Sequence, residues 1–250
     1  MIAHRGAPLR APENTIAGFR AAVDLGVDMV EFDVVAMARG PLIVAHSDHL
    51  EEITDGRAAG RIGDRSLTEL RALAPDLPTF DETLAWFAAE GGGTALHVDL
   101  KLRSRLDEVA AAVERYGLAD RVVVSAFHSA VLREVATASP GIQLGFTYPE
   151  DRLGVSRRPQ LWPLVRLGLS ALRTTVPTRL ERLLRNAGAT VLMLNHTLVT
   201  PRAVAKAHAI GVPVLAWTVD DPLVVARVVD AGVDGVISND PEMVTATLGS

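Results

Sequence analysis

Short apolar runs alternate with stretches of helical spacing along almost the whole chain. The runs are four to eight residues long and rich in Val, Ile, Leu and Ala, which is typical of buried parallel strands. The stretches between them repeat apolar residues every three or four positions, as one face of a helix does. The runs predict eight strands, at residues 1–4, 28–35, 94–100, 121–127, 142–147, 190–194, 212–219 and 234–237. The intervening stretches predict helices at residues 13–25, 67–73, 81–90, 104–116, 130–138, 201–210, 222–231 and 241–248, with a longer crossover at 153–186 that contains at least one helix.

The second strand is followed by a turn and a short apolar return, which predicts a hairpin-like excursion. Residues 39–41 read Arg-Gly-Pro, a turn sequence, and residues 42–45 form the returning run before His46. A hairpin that turns at residues 39 and 40 places Asp33 opposite His46.

Capping and turn residues indicate where individual helices begin and end. We expect the first helix to begin at Asn14 or Pro12 and to end at Gly26. Pro78 and Thr79 form a start signal for the helix predicted at residues 81–90.

Eight strand–helix units in 250 residues favour a closed (β/α)8 TIM barrel over the alternative, an open doubly wound sheet. Polar or aromatic side chains fall at or near the carboxyl ends of the predicted strands, and in a barrel these ends meet around one mouth. Those side chains are His4, Glu31, Asp33, Asp99, Lys101, Ser125, Asn195 and Trp217. No linker or low-complexity segment interrupts the pattern, so residues 1–250 are interpreted as a single barrel domain.

Composition narrows the classes of function. The chain is 48% hydrophobic but only 4% aromatic, which predicts an aliphatic core. A net charge of -5 and a pI near 5.8 argue against a nucleic-acid partner. Without cysteine, any metal must be held by oxygen and imidazole, which favours hard cations. No apolar run is long enough to span a bilayer and no signal sequence precedes the first motif, so we expect a cytoplasmic protein without an integral membrane segment.

The stretch from His4 to His46 contains most of the candidate chemistry. It holds these two imidazoles, the guanidinium of Arg5 and the carboxylates of Glu31 and Asp33. Because residues two apart on a strand point the same way, the two acids share one face. Acids that close an apolar buried strand need a positive partner, and carboxylate oxygens suit Mg²⁺ or Ca²⁺. These groups together fit divalent-metal phosphate chemistry.

Later strands add further candidates, each with a purely structural alternative. Asp99 and Lys101 also lie two residues apart and share a face, and an ordinary ion pair is the alternative interpretation. The only other lysine is Lys206. Trp217 is a candidate apolar wall for the substrate or a residue that simply packs. A lone histidine such as His4 is often only a hydrogen-bonded group at a strand end.

Several short motifs occur in a fixed order over nearly the whole chain. They are His4-Arg5-Gly6-Ala7, Pro12-Glu13-Asn14-Thr15, Glu31-Phe32-Asp33-Val34, His46, Leu96-His97-Val98-Asp99-Leu100-Lys101, Val124-Ser125-Ala126-Phe127, Ala216-Trp217-Thr218-Val219 and Asp234-Gly235-Val236-Ile237-Ser238. This set resembles the glycerophosphodiester phosphodiesterase family, whose fold is a TIM barrel. The combination is specific, since chance would have to supply one motif at most strand ends.

The resemblance implies metal-dependent hydrolysis of glycerophosphodiesters to a glycerol phosphate and an alcohol, so the expected partner is a small-molecule substrate. It gives His4 and His46 the roles of general acid and base, a task to which imidazole is suited. The implied metal ligands are Glu31, Asp33 and Asp99, for Mg²⁺ or Ca²⁺, and the implied phosphate-binding residues are Arg5 and Lys101.

Three single positions depart from the pattern of the family, and the Asp-Gly turn common in the family becomes Ala38-Arg39-Gly40. Asp99 stands where the family usually has Glu, so this carboxylate is one methylene shorter. Ser47 stands where an acid usually follows the second histidine, and Asp48 or His49 are candidates to replace that acid. Asn239 replaces the usual acid after the last strand, which we interpret as a structural change.

Two alternative functions follow from particular stretches. Residues 161–172 form an apolar series that begins near Trp162; as a lip for an acyl chain it would favour lysophospholipase D activity on a lysophospholipid. The simpler interpretation is a helix that packs on the barrel exterior. The shorter Asp99 leaves open a barrel that binds phosphodiesters without turnover.

Overall fold

The computed structural model describes residues 1–150 and 162–249. Its strands are β1 (Ile2–Ala3), β2 (Met29–Ala36), β3 (Leu42–Val44), β4 (Ala95–Leu100), β5 (Val122–Ala126), β6 (Gln143–Tyr148), β7 (Val191–Asn195), β8 (Val214–Trp217) and β9 (Gly235–Ser238). Its helices are α1 (Ile16–Asp24), α2 (Leu50–Ile53), α3 (Leu67–Leu73), α4 (Phe80–Ala89), α5 (Leu106–Arg115), α6 (Ser129–Ala138), α7 (Trp162–Ala187), α8 (Pro201–His208), α9 (Pro222–Asp230) and α10 (Pro241–Leu248). Each predicted strand lies within two residues of its observed bounds.

Eight parallel strands close into a barrel. The order around it is β1, β2, β4, β5, β6, β7, β8 and β9, and β1 pairs in parallel with both β2 and β9. That double pairing of β1 leaves no open edge, which excludes the doubly wound sheet. The predicted TIM barrel is therefore confirmed, with β3 as one extra strand antiparallel to β2.

The hairpin after β2 is confirmed, but its predicted register is wrong by one residue. Val34 pairs with Val44 and Ala36 with Leu42, and the N–H of Ala45 donates to the carbonyl of Asp33 at 3.1 Å. Ala45, not His46, therefore lies opposite Asp33. Burial explains the register, because it places Ala45 in a second small core with other apolar side chains. Its other buried members are Val35, Met37, Ile43, Leu50, Ile62, Leu70 and Leu77.

This second core belongs to a segment that we call the excursion, residues 37–79, between β2 and α4. The excursion contains β3, the short helix α2, a 3-10 turn at Ile62–Asp64 and α3. An isolated antiparallel bridge from Ile43 to Thr79 joins β3 to the residue that precedes α4. Thr79 caps α4 by accepting from the N–H of Glu82 at 3.2 Å, which confirms the predicted start signal.

The main core fills the layer between the strands and the helices. Phe32 of β2 meets Phe19 of α1 and Phe87 of α4, with ring centroids 5.4 and 6.0 Å away. The interior of the barrel leaves little space between side chains of neighbouring strands. A Cβ added at Gly145 would lie 2.9 Å from Cβ of Ser125 on the neighbouring strand, so this position leaves room only for glycine. Because the interior is packed, a site for polar side chains can form only at an end of the barrel.

The first helix begins later than predicted. Thr15, not Asn14 or Pro12, caps α1, and its Oγ1 accepts from the N–H of Gly18 at 3.1 Å. Asn14 instead has φ 55° and its side chain bonds Asp33. Gly26, with φ 72°, follows the end of the helix as predicted.

Part of the proposed acyl-chain lip lies outside the described residues, because the side chains of residues 161–167 and 170 are not among them. Further along α7, Leu169 and Leu172 pack against the main core of the barrel. This packing agrees with the simpler interpretation, a helix on the barrel exterior. None of the helices in the described ranges is both long and apolar enough to cross a membrane.

Candidate active site

Strand register brings three acids together at the carboxyl ends of β2 and β4. Asp33 pairs with Asp99 in this parallel ladder, and Glu31 precedes Asp33 on the same face. The three side chains are buried, and one carboxylate oxygen of each lies within 4.8 Å of the others. Asp99 thus reaches the group despite its shorter side chain.

Two cations face these acids. Nε of Arg5 lies 3.1 Å from Oδ2 of Asp33, and Nζ of Lys101 lies 3.0 Å from Oδ1 of Asp33. Lys101 also donates to Asp99. Burial alone would raise the pKa of Asp33, but Lys101 and then Arg5 outweigh it and hold that pKa well below its usual range. Asp33 is therefore ionised.

Glu31 is in a different electrostatic position. Burial, and then the negative charges of Asp33 and Asp99, raise the pKa of Glu31 well above its ordinary value. Its Oε2 accepts the backbone N–H of Arg5 at 2.8 Å. Three carboxylates face only two cations, so the cluster carries a surplus negative charge when Glu31 is ionised, and an added cation would compensate it.

The loop after β1 sets the position of His4 and Arg5. Gly6 has φ 89°, and a Cβ there would lie 2.7 Å from the carbonyl carbon of Gly18 in α1. Only glycine fits this close approach. The N–H of Ala7 donates to the carbonyl of Gly18 at 3.1 Å, which fixes the loop against the helix.

His4 is held by an amide, not by a carboxylate. Its Nδ1 lies 2.7 Å from Oδ1 of Asn239, and Nδ2 of Asn239 donates to Asp220 at 2.7 Å. The opposite nitrogen, Nε2, lies 3.9 Å from Oε2 of Glu31. Burial, and then the charge of Arg5, lower the pKa of His4. Asn239, which the sequence analysis took as structural, thus contacts a candidate catalytic side chain.

His46 reaches the site from the excursion and has a carboxylate partner. Its Nδ1 lies 2.9 Å from Oε2 of Glu52 in α2. Asp48, one of the expected substitutes for an acid at position 47, instead accepts from Arg61 and from the N–H of Gly63. The other, His49, donates its backbone N–H to Oγ of Ser47. The acid that pairs with His46 is therefore Glu52, and not Asp48.

Sequence reasoning missed a third imidazole. Nε2 of His97 lies 2.8 Å from Oγ of Ser125, whose hydroxyl donates to Oδ1 of Asp99 at 2.5 Å. Burial lowers the pKa of His97 to about 4, so this ring is neutral. The available signal was its place two residues before Asp99, on the inward face of the same strand.

These groups surround a cavity of about 160 Å³. Trp217, the candidate apolar wall, lines it, and its ring meets Phe127 edge-on at 6.1 Å. The cavity therefore combines three carboxylates, three imidazoles, two cations and an aromatic wall. It brings together every side chain that the sequence analysis placed in the site. They are His4, Arg5, Glu31, Asp33, His46, Asp99, Lys101 and Trp217.

Buried carboxylates at the mouth of a (β/α)8 barrel, beside imidazoles and fixed cations, form a site suited to the hydrolysis of phosphate esters. A family model described as the glycerophosphoryl diester phosphodiesterase family matches residues 4–243. The chain belongs to this family, and it is a phosphoric diester hydrolase.

Individual relatives agree with this assignment. A glycerophosphodiester phosphodiesterase of Caldanaerobacter subterraneus is 28% identical over 260 residues, covering 97% of this chain and 94% of the relative. A phosphodiesterase of Oleispira antarctica, solved with the product sn-glycerol-3-phosphate, has a TM-score of 0.79 at 23% identity and covers 100% and 96% of the two chains. The Thermotoga maritima glycerophosphodiester phosphodiesterase has a TM-score of 0.74 at 20% identity and covers 100% and 97%. The two structural likenesses support the fold.

Proposed function

We propose that this chain hydrolyses glycerophosphodiesters to a glycerol phosphate and an alcohol with a divalent cation bound at its three acids. The observation that supports this most is the convergence of Glu31, Asp33 and Asp99: one carboxylate oxygen of each lies within 4.8 Å of the others, beside three imidazoles. The glycerol phosphate bound to the Oleispira antarctica phosphodiesterase supports the same choice of substrate.

The donor set fits a hard cation. All three candidate ligands are carboxylate oxygens of buried side chains, and burial, together with the charges of Asp33 and Asp99, raises the pKa of Glu31. Mg²⁺ and Ca²⁺ both prefer such oxygens. When bound, the cation would polarise a phosphoryl oxygen and make the phosphorus more electrophilic.

The two cationic side chains of the site bind the phosphate of the substrate. The guanidinium of Arg5 and the ammonium of Lys101 offset the charge that develops on the phosphoryl oxygens. Asp33 holds both, at 3.1 and 3.0 Å, so they are oriented before substrate arrives. This preorganisation lowers the cost of reaching the transition state.

The two histidines divide the proton transfers between them. One of His4 and His46 takes the proton of the nucleophile, and the other protonates the leaving oxygen. The nucleophile is water or the 2-hydroxyl of the substrate itself, and attack by that hydroxyl would form a cyclic phosphate first. Phosphorus NMR of the reaction mixture distinguishes these routes, because the cyclic phosphate has its own resonance.

The test is a substrate panel with the purified protein. Glycerol phosphate release from glycerophosphocholine, glycerophosphoethanolamine and bis(glycero)phosphate is measured with Mg²⁺, Ca²⁺, Mn²⁺ or chelator. We expect turnover with at least one cation and none with chelator. Full activity in chelator would refute the metal site, and no product with any cation would favour the inert binding barrel.

Lysophosphatidylcholine belongs in the same panel. Lysophospholipase D activity would use the same chemistry, but the lip on which it depends lies partly outside the described residues. A rate on lysophosphatidylcholine well above that on glycerophosphocholine would make the lysophospholipid the preferred substrate.

A further inference from the structure

His46 stands in the wall between two cavities. It lines the catalytic cavity, and it also lines a second cavity of about 250 Å³. Glu52 lines the second cavity but not the catalytic one. The contact between His46 and Glu52 therefore lies on the side of the second cavity.

The contact determines which ring nitrogen is available for chemistry. Nδ1 of His46 lies 2.9 Å from Oε2 of Glu52, so Nδ1–H donates to the carboxylate. Nε2 is then the nitrogen left for the catalytic cavity. A carboxylate on one ring nitrogen fixes both the tautomer and the plane of an imidazole.

We propose that Glu52 is the positioning residue of His46, in place of an acid next to it in sequence. This inference rests on the proposed function, because it gives His46 a part in the reaction. The neighbouring residues are engaged elsewhere: Ser47 accepts from the N–H of His49, and Asp48 binds Arg61. The carboxylate comes instead from six residues along the chain, on α2.

The fold holds Glu52 in place by means other than the ion pair. Leu50 of α2 is fully buried in the core of the excursion. Thr54 follows the helix, and its hydroxyl donates to the carbonyl of Leu50 at 2.7 Å and accepts from the N–H of Ala58 at 3.1 Å. The side chains of His46 and Glu52 are 31% and 35% exposed, and pairs so exposed contribute little to folding. Loss of the carboxylate should therefore act on turnover, not on the fold.

The test compares three single variants with the wild type on glycerophosphocholine. Glu52→Ala removes the acceptor, and Glu52→Gln keeps an acceptor oxygen without the charge. Glu51→Gln changes the adjacent acid of the same helix and is the matched control. We expect kcat to fall about 10- to 100-fold in Glu52→Ala, with KM unchanged, and to fall less in Glu52→Gln. Glu51→Gln should match the wild type.

A double variant shows whether Glu52 acts through His46. If it does, His46→Ala/Glu52→Ala should be no slower than His46→Ala alone, because the positioned group is already absent. Multiplying losses would mean that Glu52 acts independently of the imidazole and would overturn the inference. So would a kcat for Glu52→Ala within twofold of the wild type.

A second measurement does not depend on activity. Long-range ¹H–¹⁵N spectra, at a pH where the rings are neutral, should show the His46 proton on Nδ1 in the wild type and its shift toward Nε2 in Glu52→Ala. A wild-type ring protonated on Nε2 would overturn the inference. If the wild type releases no glycerol phosphate, the proposed function fails, and these spectra still decide whether Glu52 orients His46.

Discussion

Strand ends form one side of the catalytic cavity, and a loop forms the other. On one side, the carboxyl ends of β1, β2 and β4 hold His4, the three acids and Lys101, and we call this side the barrel end. On the other side, the excursion supplies His46 from a loop after β3. The acids of the barrel end are buried, whereas the His46–Glu52 pair is about one-third exposed.

This difference in burial separates charged groups whose desolvation costs free energy from pairs that keep their contact with water. Buried charges at the barrel end are stable only because each has a partner, so removing one partner leaves an uncompensated charge. Pairs in the excursion remain in contact with water, which compensates when a partner is lost. We therefore expect mutations at the barrel end to affect both folding and turnover, and mutations in the excursion to affect chiefly turnover.

The largest expected effects are on catalysis and should be similar on both sides. His4→Ala and His46→Ala should each lower kcat by about 10²- to 10⁴-fold, the usual contribution of a positioned acid or base. The measurement is the rate of glycerol phosphate release at saturating metal. His208→Ala, at the exposed end of α8, is the matched control. Wild-type kcat in either catalytic variant would remove that imidazole from the reaction.

The next effect should appear only at the barrel end. Lys101→Met leaves Asp33 and Asp99 without this cation and should lower the free energy of unfolding by about 3 to 5 kcal/mol in chelator. Urea unfolding measures the change. Lys206→Met, which replaces the only other lysine at an exposed position of α8, should change stability by less than about 0.5 kcal/mol. Equal losses in both variants would contradict the distinction between buried and exposed charge.

A smaller effect should depend on pH. Burial lowers the pKa of His97 from 6.5 to about 4, so below pH 6.5 the unfolded chain binds a proton that the folded chain does not. Stability should fall by about 2 kcal/mol between pH 7 and pH 5 from this residue alone. The raised pKa of Glu31 acts in the opposite sense, since protonation of Glu31 then favours the folded chain at lower pH.

The comparison that isolates His97 is the difference between two curves. The free energies of unfolding of the wild type and of His97→Asn are measured with urea in chelator from pH 7 to pH 5. Glu31 contributes equally to both curves. The wild type should lose more stability over this range than the variant. Parallel curves would show that His97 is not buried in its neutral form.

The smallest effect should be found in the excursion. Arg61→Ala removes the ion pair with Asp48, in which the arginine side chain is 62% exposed. The loss of stability should be below about 1 kcal/mol by urea unfolding, because exposed pairs are weak. The loss of stability in Arg57→Ala is measured for comparison, since Arg57 lies in the same segment and bonds the backbone carbonyl of Thr54. A loss above about 2 kcal/mol from Arg61→Ala would mean that charge, not the small apolar core, holds the excursion together.

The sequence predicted the barrel because its evidence is repeated. Eight apolar runs and the helical stretches between them each carry a period, and one misplaced boundary does not change the count. The same periodicity placed Glu31 with Asp33, and Asp99 with Lys101, on shared faces. Motifs at the strand ends added the candidate histidines. These are local properties of the chain, and the closed barrel confirmed the fold that they indicate.

Details that depend on packing between distant residues were predicted less well. The hairpin register was wrong by one residue, because burial of Ala45 in the second core, and not the turn sequence, sets it. The start of α1 was misplaced because Asn14 is used to bond Asp33. In both cases a tertiary contact outweighed the local signal.

The partners of the two histidines separate sequence from tertiary structure most clearly. The sequence by itself predicted that His4 and His46 lie at a mouth with three acids and two cations, from strand periodicity and from the resemblance of its motifs to a known family. Only the tertiary structure decided which residues contact the two rings. Asn239, 235 positions along the chain, contacts His4, and Glu52 of α2 contacts His46. Hydrogen bonds of this kind depend on the positions of side chains in space, and sequence spacing does not encode those positions.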